Sequence, residues 1–312
     1  MTSHDLTFFN GDHRLFGTFL TADKLEPFTV ALLISGSGPI DRNSNFKRLQ
    51  IDVMRQVAGH LEAAGIASFR YDKRGVGESD GDYRSSGFLD NVADASAALE
   101  TLRARPEIGQ IFVVGHSEGA LISTELAASG ADVDGVVLLA GTAKNGKEVL
   151  RWQARQLAVR MPRPVKWLLR VLRQDIVRTQ AKRFAQLEAT TEDVERIQLI
   201  RINAKWFREF MDYDPSAALR RIEVPVLALT GSKDIQVDPE DIEAMRLIVE
   251  SDFRGEVVPD LTHLLRLEDG PPSLRTYKKQ TRRPVDAGLL ERVSDWIAER
   301  ATNLNGASRE NV

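Results

Sequence analysis

The pentapeptide Gly115-His116-Ser117-Glu118-Gly119 directly follows an apolar run, Ile111 to Val114, and directly precedes the helix-prone stretch Ala120 to Ala128. A serine forced into a tight strand-to-helix turn stands with its hydroxyl exposed above the sheet, and that backbone tolerates only small residues two positions either side. Gly115 and Gly119 meet the demand. Ser117 is therefore a candidate nucleophile. The Glu118 N–H, at the start of a helix whose dipole favours negative charge, is a candidate oxyanion donor. A chance Gly-x-Ser-x-Gly in an ordinary loop would lack this context of buried strand and helix.

A serine nucleophile needs a base, and histidine is the side chain suited to proton transfer near neutrality. The chain has five histidines. His4 and His13 lie in an N-terminal arm and hairpin, His60 lies within a helical pattern, and His116 is in the elbow itself, where neighbouring side chains diverge. His263 remains, in the loop after the last expected strand. In an open parallel sheet that loop lies at the carboxyl edge, the same edge as Ser117. The acid that orients the base falls between them in the chain order serine, acid, histidine. Asp234 fits, because it follows the strand-like Val224 to Leu229 through Thr230-Gly231-Ser232-Lys233. Asp238, before Pro239, reads as a helix N-cap, and Glu209, Asp212 and Asp214 come before that strand. A second oxyanion donor belongs in Gly36-Ser37-Gly38, after the run Val30 to Ser35. The Ser37 N–H is expected there, with Gly38 as the alternative. The glycine-rich Tyr71 to Ser79 lacks both a dinucleotide fingerprint and a P-loop lysine, so it reads as a structural turn.

The elements that must hold these residues are visible in the pattern. Val30 to Ser35, Ile66 to Tyr71, Ile111 to Val114 and Val136 to Ala140 are nearly continuous aliphatic runs, as expected of parallel strands buried on both faces. A hairpin around Asn10-Gly11-Asp12 precedes them. Helical spacing over Phe46, Leu49, Val53, Val57 and Leu61, and again from Phe88 to Leu102, supplies the crossovers of an α/β fold with a mostly parallel sheet. From Ala143 to Arg221 no strand is evident. Trp152, Leu157, Val165, Trp167, Leu172 and Val177 sit there in amphipathic, helix-prone sequence, so residues 143–221 read as a helical lid inserted into a core of residues 1–142 and 222–312. Strands are expected again at Val224 to Leu229 and Glu256 to Val258. A helix from Asp286 to Arg300 closes the chain, and the polar tail from Leu304 should fray.

Taken together, GSGPIDRN, YDKRGVGESDG and GHSEG resemble the α/β-hydrolase superfamily, and within it bacterial carboxylesterases with a G-S-G-P-x-D-R oxyanion loop. The resemblance covers nearly the whole chain outside the insertion. It implies an eight-stranded, mostly parallel sheet, a serine-histidine-aspartate triad at Ser117, His263 and Asp234, and ester hydrolysis without a cofactor or metal. Many members of the superfamily carry His-Gly in the oxyanion loop, where this chain has Ser35-Gly36.

Composition narrows the partners. The chain of 312 residues has a net charge of −3, which excludes a globally basic nucleic-acid binder, and it has no cysteine for a disulfide, thiolate metal site or thiol nucleophile. A cytoplasmic enzyme acting on a small-molecule ester is the expectation. The insertion holds 18 Lys plus Arg against 9 Asp plus Glu, and Arg275, Lys278, Lys279, Arg282 and Arg283 add a second basic run. That charge leaves room for an anionic substrate such as an acyl-CoA thioester, or for an anionic membrane surface met by a helix from Val165 to Arg183. A peptidase with an N-terminal propeller domain does not fit, because barely 30 residues precede the first central strand. A silent ligand-binding fold does not need the serine, acid and histidine together.

Overall fold

The computed structural model describes residues 2–21, 27–47, 49–171, 175–197 and 199–307. Ten strands are present among them: β1 (Thr2–Asn10), β2 (His13–Thr21), β3 (Phe28–Ile34), β4 (Ala67–Tyr71), β5 (Ile108–His116), β6 (Gly135–Leu139), β7 (Val194–Ile197), β8 (Ile200–Asn203), β9 (Val226–Gly231) and β10 (Phe253–Val258). Eight form one sheet in the order β1-β2-β4-β3-β5-β6-β9-β10. The β1–β2 hairpin turns at Gly11, with φ of +56°, and β2 runs antiparallel to β4. Every other pairing in this sheet is parallel.

The aliphatic runs are buried on both faces because helices cover both. Along β5, Ile111 and Val113 pack into one layer with Leu99 and Leu126, while Phe112 and Val114 pack into the other with Val57, Leu61 and Trp296. The helices are α1 (Val53–Ala63), α2 (Phe88–Arg103), α3 (Glu118–Ala128), α4 (Gly146–Arg160), α5 (Arg163–Val171), α6 (Ile176–Ala189), α7 (Ala204–Asp212), α8 (Pro215–Leu219), α9 (Asp241–Ile248), α10 (Tyr277–Gln280) and α11 (Ala287–Ala307).

Several expectations are corrected. Helix α1 does not begin at Phe46: Phe46 and Leu49 form an isolated antiparallel bridge instead. Asp52 is left-handed at φ 55°, and its N–H donates to Asn45 Oδ1 at 2.9 Å, so the helix starts only after it. The insertion is not purely helical. Short strands β7 and β8 pair antiparallel, and Ile197 with Ile202 packs on Leu187 and Met211; the strands are too short for their alternation to stand out in the sequence. Val165 to Arg183 is not one helix, since Asp175 starts α6 afresh by accepting the Arg178 N–H at 3.1 Å. Asp238 is not an N-cap, a position Glu240 holds; its Oδ1 accepts the Glu240 N–H at 3.2 Å within the preceding turn. The closing helix continues past Arg300 to Ala307, through Leu304 where the tail was expected to begin. Leu172, and the tail from Ser308 to Val312, lie outside the described residues.

Residues 143–221 meet the rest of the chain unevenly. Asn203 donates to the carbonyls of Tyr83 and Ser86, each at 2.7 Å, Lys205 pairs with Asp90 at 2.7 Å, and Glu209 accepts the Leu89 N–H at 2.8 Å. The start of α2 is thereby held by the segment that begins α7. Further out, Gln153 of α4 donates to the Gln236 carbonyl at 2.9 Å.

At the carboxyl edge the loops after β9 and β10 touch at backbone level. A Cβ on Gly231 would stand 2.1 Å from the Leu261 carbonyl oxygen. Gly231→Ala is therefore expected to cost about 1–3 kcal/mol in urea unfolding by forcing these backbones apart. An unchanged midpoint and slope would show that the two loops part freely.

Candidate active site

Strand β5 ends at His116 and α3 begins at Glu118, so Ser117 alone makes the turn, with φ 57° and ψ −116°. A non-glycine residue in that region is strained and must be held by its surroundings. Here the Ser117 N–H donates to the Leu139 carbonyl at 2.8 Å, and its carbonyl accepts from the Ala120 N–H at 3.0 Å. The flanking glycines are obligatory on steric grounds. A Cβ on Gly115 would lie 2.0 Å from the Gly119 carbonyl oxygen, and one on Gly119 would lie 2.1 Å from the Ile34 carbonyl oxygen. The Ser117 hydroxyl makes no capping bond to α3, so it is free to react.

The other candidates converge on it from neighbouring loops. His263 Nδ1 lies 2.7 Å from Asp234 Oδ2, and both residues are buried. Asp234 Oδ1 accepts the N–H groups of Gln236, at 2.7 Å, and Val237, at 2.9 Å, which fixes the carboxylate in its own turn. Ser117 and His263 line one cavity of about 190 Å³ together with Ser37, Ile51, Leu264 and Tyr277. On the other side Ser117, Ser37 and Glu118 line a cavity of about 80 Å³ with Leu121, Leu150 and Phe210. A nucleophile, a base oriented by an acid, and two backbone donors are what acyl transfer through a tetrahedral intermediate requires.

The loop after β3, which carries the candidate oxyanion donors, is stiffened from within. Asp41 Oδ1 accepts the N–H groups of Asn43 and Asn45, at 2.9 and 2.8 Å, and Ser35 Oγ reaches the Asp41 carbonyl at 3.3 Å and Ser44 Oγ at 3.2 Å. Arg42 clasps the buried Asp72 through its own N–H, at 2.7 Å, and its guanidinium, also at 2.7 Å. The Ser37 N–H has no hydrogen-bond partner among the described residues.

Three contributors were not visible in the sequence. His116 lines the same cavity as Ser117; its Nε2 lies 2.9 Å from the His263 carbonyl oxygen and its ring centroid 5.0 Å from that of His263. A carbonyl only accepts, so Nε2 carries the proton. Burial, then the neighbouring imidazole of His263, pushes the His116 pKa down to about 3, which keeps the ring neutral. Arg266 is buried, donates to the carbonyls of Leu264, Ile51 and Arg283, and so holds the His263 loop in place; burial pushes its pKa down to about 10. The third is Lys73. It belongs to the turn read as structural, yet its ammonium reaches both Gly36 and Glu118. From the second basic run, Arg283 pairs with Glu268 at 2.8 Å.

An eight-stranded, mostly parallel sheet with a positive-φ serine between its fifth strand and the following helix defines an α/β-hydrolase fold. Residues 50–270 match the family described as serine aminopeptidase, S33, and the chain belongs to that family. It is also similar to the esterase EstD of Thermotoga maritima, at 26% identity over 276 residues, 88% of this chain and 63% of that protein. The chain thus spans less than two thirds of that relative's length. Among solved structures it is similar to Est1E from Butyrivibrio proteoclasticus with ferulic acid bound, at 15% identity and a TM-score of 0.62, over 96% of this chain and 98% of that one. The α/β-hydrolase GrgF from Penicillium sp. sh18 gives 15% identity and a TM-score of 0.63, over 96% and 99% of the two chains. The Pyrococcus furiosus esterase Pf2001 gives 15% and 0.61, over 97% and 91%. At these identities the structural likeness is one of fold.

The neutral His116 sets a pH dependence of stability. Its folded pKa lies below the unfolded value near 6.5, so its contribution is complete above that value and is lost as pH falls towards 3. Wild type should therefore lose stability over that range more steeply than His116→Gln, by up to about 1.4 kcal/mol per pH unit. Parallel curves in urea titrations at stepped pH would show that His116 is charged in the fold.

Proposed function

We propose that this protein is a serine carboxylesterase. Ser117 attacks an ester carbonyl, His263 takes the hydroxyl proton and passes it to the leaving alcohol, and Asp234 holds the imidazole in the productive tautomer. The N–H groups of Ser37 and Glu118 receive the oxyanion. The observation that carries the reading is the buried 2.7 Å contact of His263 Nδ1 with Asp234 Oδ2, in a site whose serine stands on a strained, otherwise unoccupied turn. The similarity to the esterase EstD supports the ester as substrate class. No cofactor or metal enters these steps.

The family's description names an aminopeptidase, which must hold a substrate ammonium with a free carboxylate. Among the residues lining the two cavities the one acidic side chain is Glu118, and it is already bound by Lys73, Asn91 and Trp206. An acyl-CoA thioester draws support only from the basic charge of residues 143–221. In this reading that segment is a lid over a catalytic body of residues 1–142 and 222–312. Exposed Val159, Trp167 and Val171 on it suit contact with an anionic membrane surface, while no described helix is long and apolar enough to cross a membrane. The lack of cysteine suits a cytoplasmic setting.

The two cavities divide the ester. His263 must reach the leaving oxygen, so the alcohol half belongs in the larger cavity that His263 lines, and the acyl half in the smaller one under α4 and α7. The smaller cavity, about 80 Å³, favours a short acyl chain.

Ser117→Ala should lower p-nitrophenyl butyrate hydrolysis by about 10³-fold or more and abolish fluorophosphonate labelling, since triad members act as a unit. Residual turnover near wild type would assign the chemistry elsewhere. Asp234→Asn should cost far more kcat than Asp238→Asn, because Asp238 pairs with Lys144 at 2.8 Å and does not touch the base. Across p-nitrophenyl esters, kcat/KM should peak between acetate and butyrate, and Leu150→Ala should move the peak to longer chains. A wild-type optimum at octanoate or beyond would contradict the assignment of the smaller cavity.

A further inference from the structure

Lys73 is the second residue after β4, in a turn with no catalytic group of its own. Its Nζ lies 2.6 Å from the Gly36 carbonyl oxygen and 2.6 Å from Glu118 Oε2. The side chains of this ion pair are 5% and 2% exposed. Glu118 Oε1 accepts from Asn91 Nδ2 at 3.0 Å and from Trp206 Nε1 at 2.5 Å, so both carboxylate oxygens are engaged.

The Gly36 carbonyl and the Ser37 N–H belong to one planar trans peptide, in which the two groups point opposite ways. A cation that holds the carbonyl therefore fixes the direction of the N–H and polarises it as a donor. That N–H is the one left without a partner beside Ser117. The anion that holds the cation is the side chain of Glu118, whose own N–H is the second donor. We propose that the buried Lys73–Glu118 pair is the positioning device of the oxyanion hole, locking the Gly36–Ser37 peptide against the first turn of α3 so that two N–H groups from different loops meet one oxygen. This rests on the serine-esterase reading.

Stability alone explains the pair poorly. A buried ion pair can often be replaced by neutral side chains of similar shape without loss, whereas removing one partner leaves a costly bare charge. The same turn contains a ready comparison: Arg74 pairs with Asp94 at 2.8 Å, largely buried as well, but holds α2 and not the oxyanion peptides.

The deciding variant is the double Lys73→Met/Glu118→Gln in the full chain, which removes both charges and keeps both shapes. With p-nitrophenyl butyrate its kcat should fall about 10- to 100-fold while KM stays within about threefold, since an oxyanion donor acts only in the transition state. Affinity for a boronic acid that mimics the tetrahedral adduct should fall by the same factor. Arg74→Met should lower Tm yet keep kcat and boronic-acid affinity within about threefold of wild type. A double variant that does not fold, or one whose kcat and boronic-acid affinity stay within about threefold, overturns the proposal. A wild-type protein that neither hydrolyses esters nor takes a fluorophosphonate at Ser117 overturns the esterase reading, and this inference with it.

Discussion

The structure depends most on the close approach of three backbone segments at the end of β5. Gly115 is pressed against the carbonyl of Gly119, and Gly119 in turn against that of Ile34, with no room for a methyl group at either contact. This packing drives Ser117 into a left-handed conformation at the top of the sheet. It also brings the loop after β3 alongside, since a Cβ on Gly36 would meet that of Ser117 at 3.3 Å. A parallel sheet then delivers the remaining groups without further device, because its strands all end at one edge and the loops after β9 and β10 emerge there together.

Buried charge does the remaining positioning. Three successive residues after β4 are each committed to a different element: Asp72 to Arg42 of the loop after β3, Lys73 to Glu118 of the elbow, and Arg74 to Asp94 of α2, away from Ser117. Ions removed from water are costly to leave alone, so each partner is constrained to one place. Gly77 makes the turn possible: at φ 57° it lies so near Asp72 that a Cβ would meet the carboxylate at 2.1 Å. The loop histidine is handled differently, by neutral contacts, with His116 and Arg266 both donating to backbone around it.

Much of this was legible in the sequence because it is local. The aliphatic runs gave the central strands, Gly115 and Gly119 marked the elbow, and Asp234 and His263 were reachable from chain order and sheet edge. What escaped was of two kinds. Pairings between distant segments, such as Lys73 with Glu118 or Arg266 with Ile51, leave no periodic trace, since charged residues in a turn look alike whether solvated or buried. Short elements escaped as well. β7 and β8 are four residues each, below the length at which alternation can be told from chance, and the Phe46–Leu49 bridge mimics helical spacing until Asp52 interrupts it.

The uneven seating of the inserted segment has a bearing on how such a chain can change over time. Asn203, Lys205 and Glu209 fasten one end of it to the start of α2, and Trp206 between them reaches the elbow through Glu118. Between Arg160 and Thr190 the described residues are mostly exposed, and the segment's ties run largely within itself, as in the pair of Lys147 with Glu188. Residues gained, lost or exchanged in that outer stretch leave the Ser117 turn in its shape, so this part of the surface is free to diversify independently of the elbow.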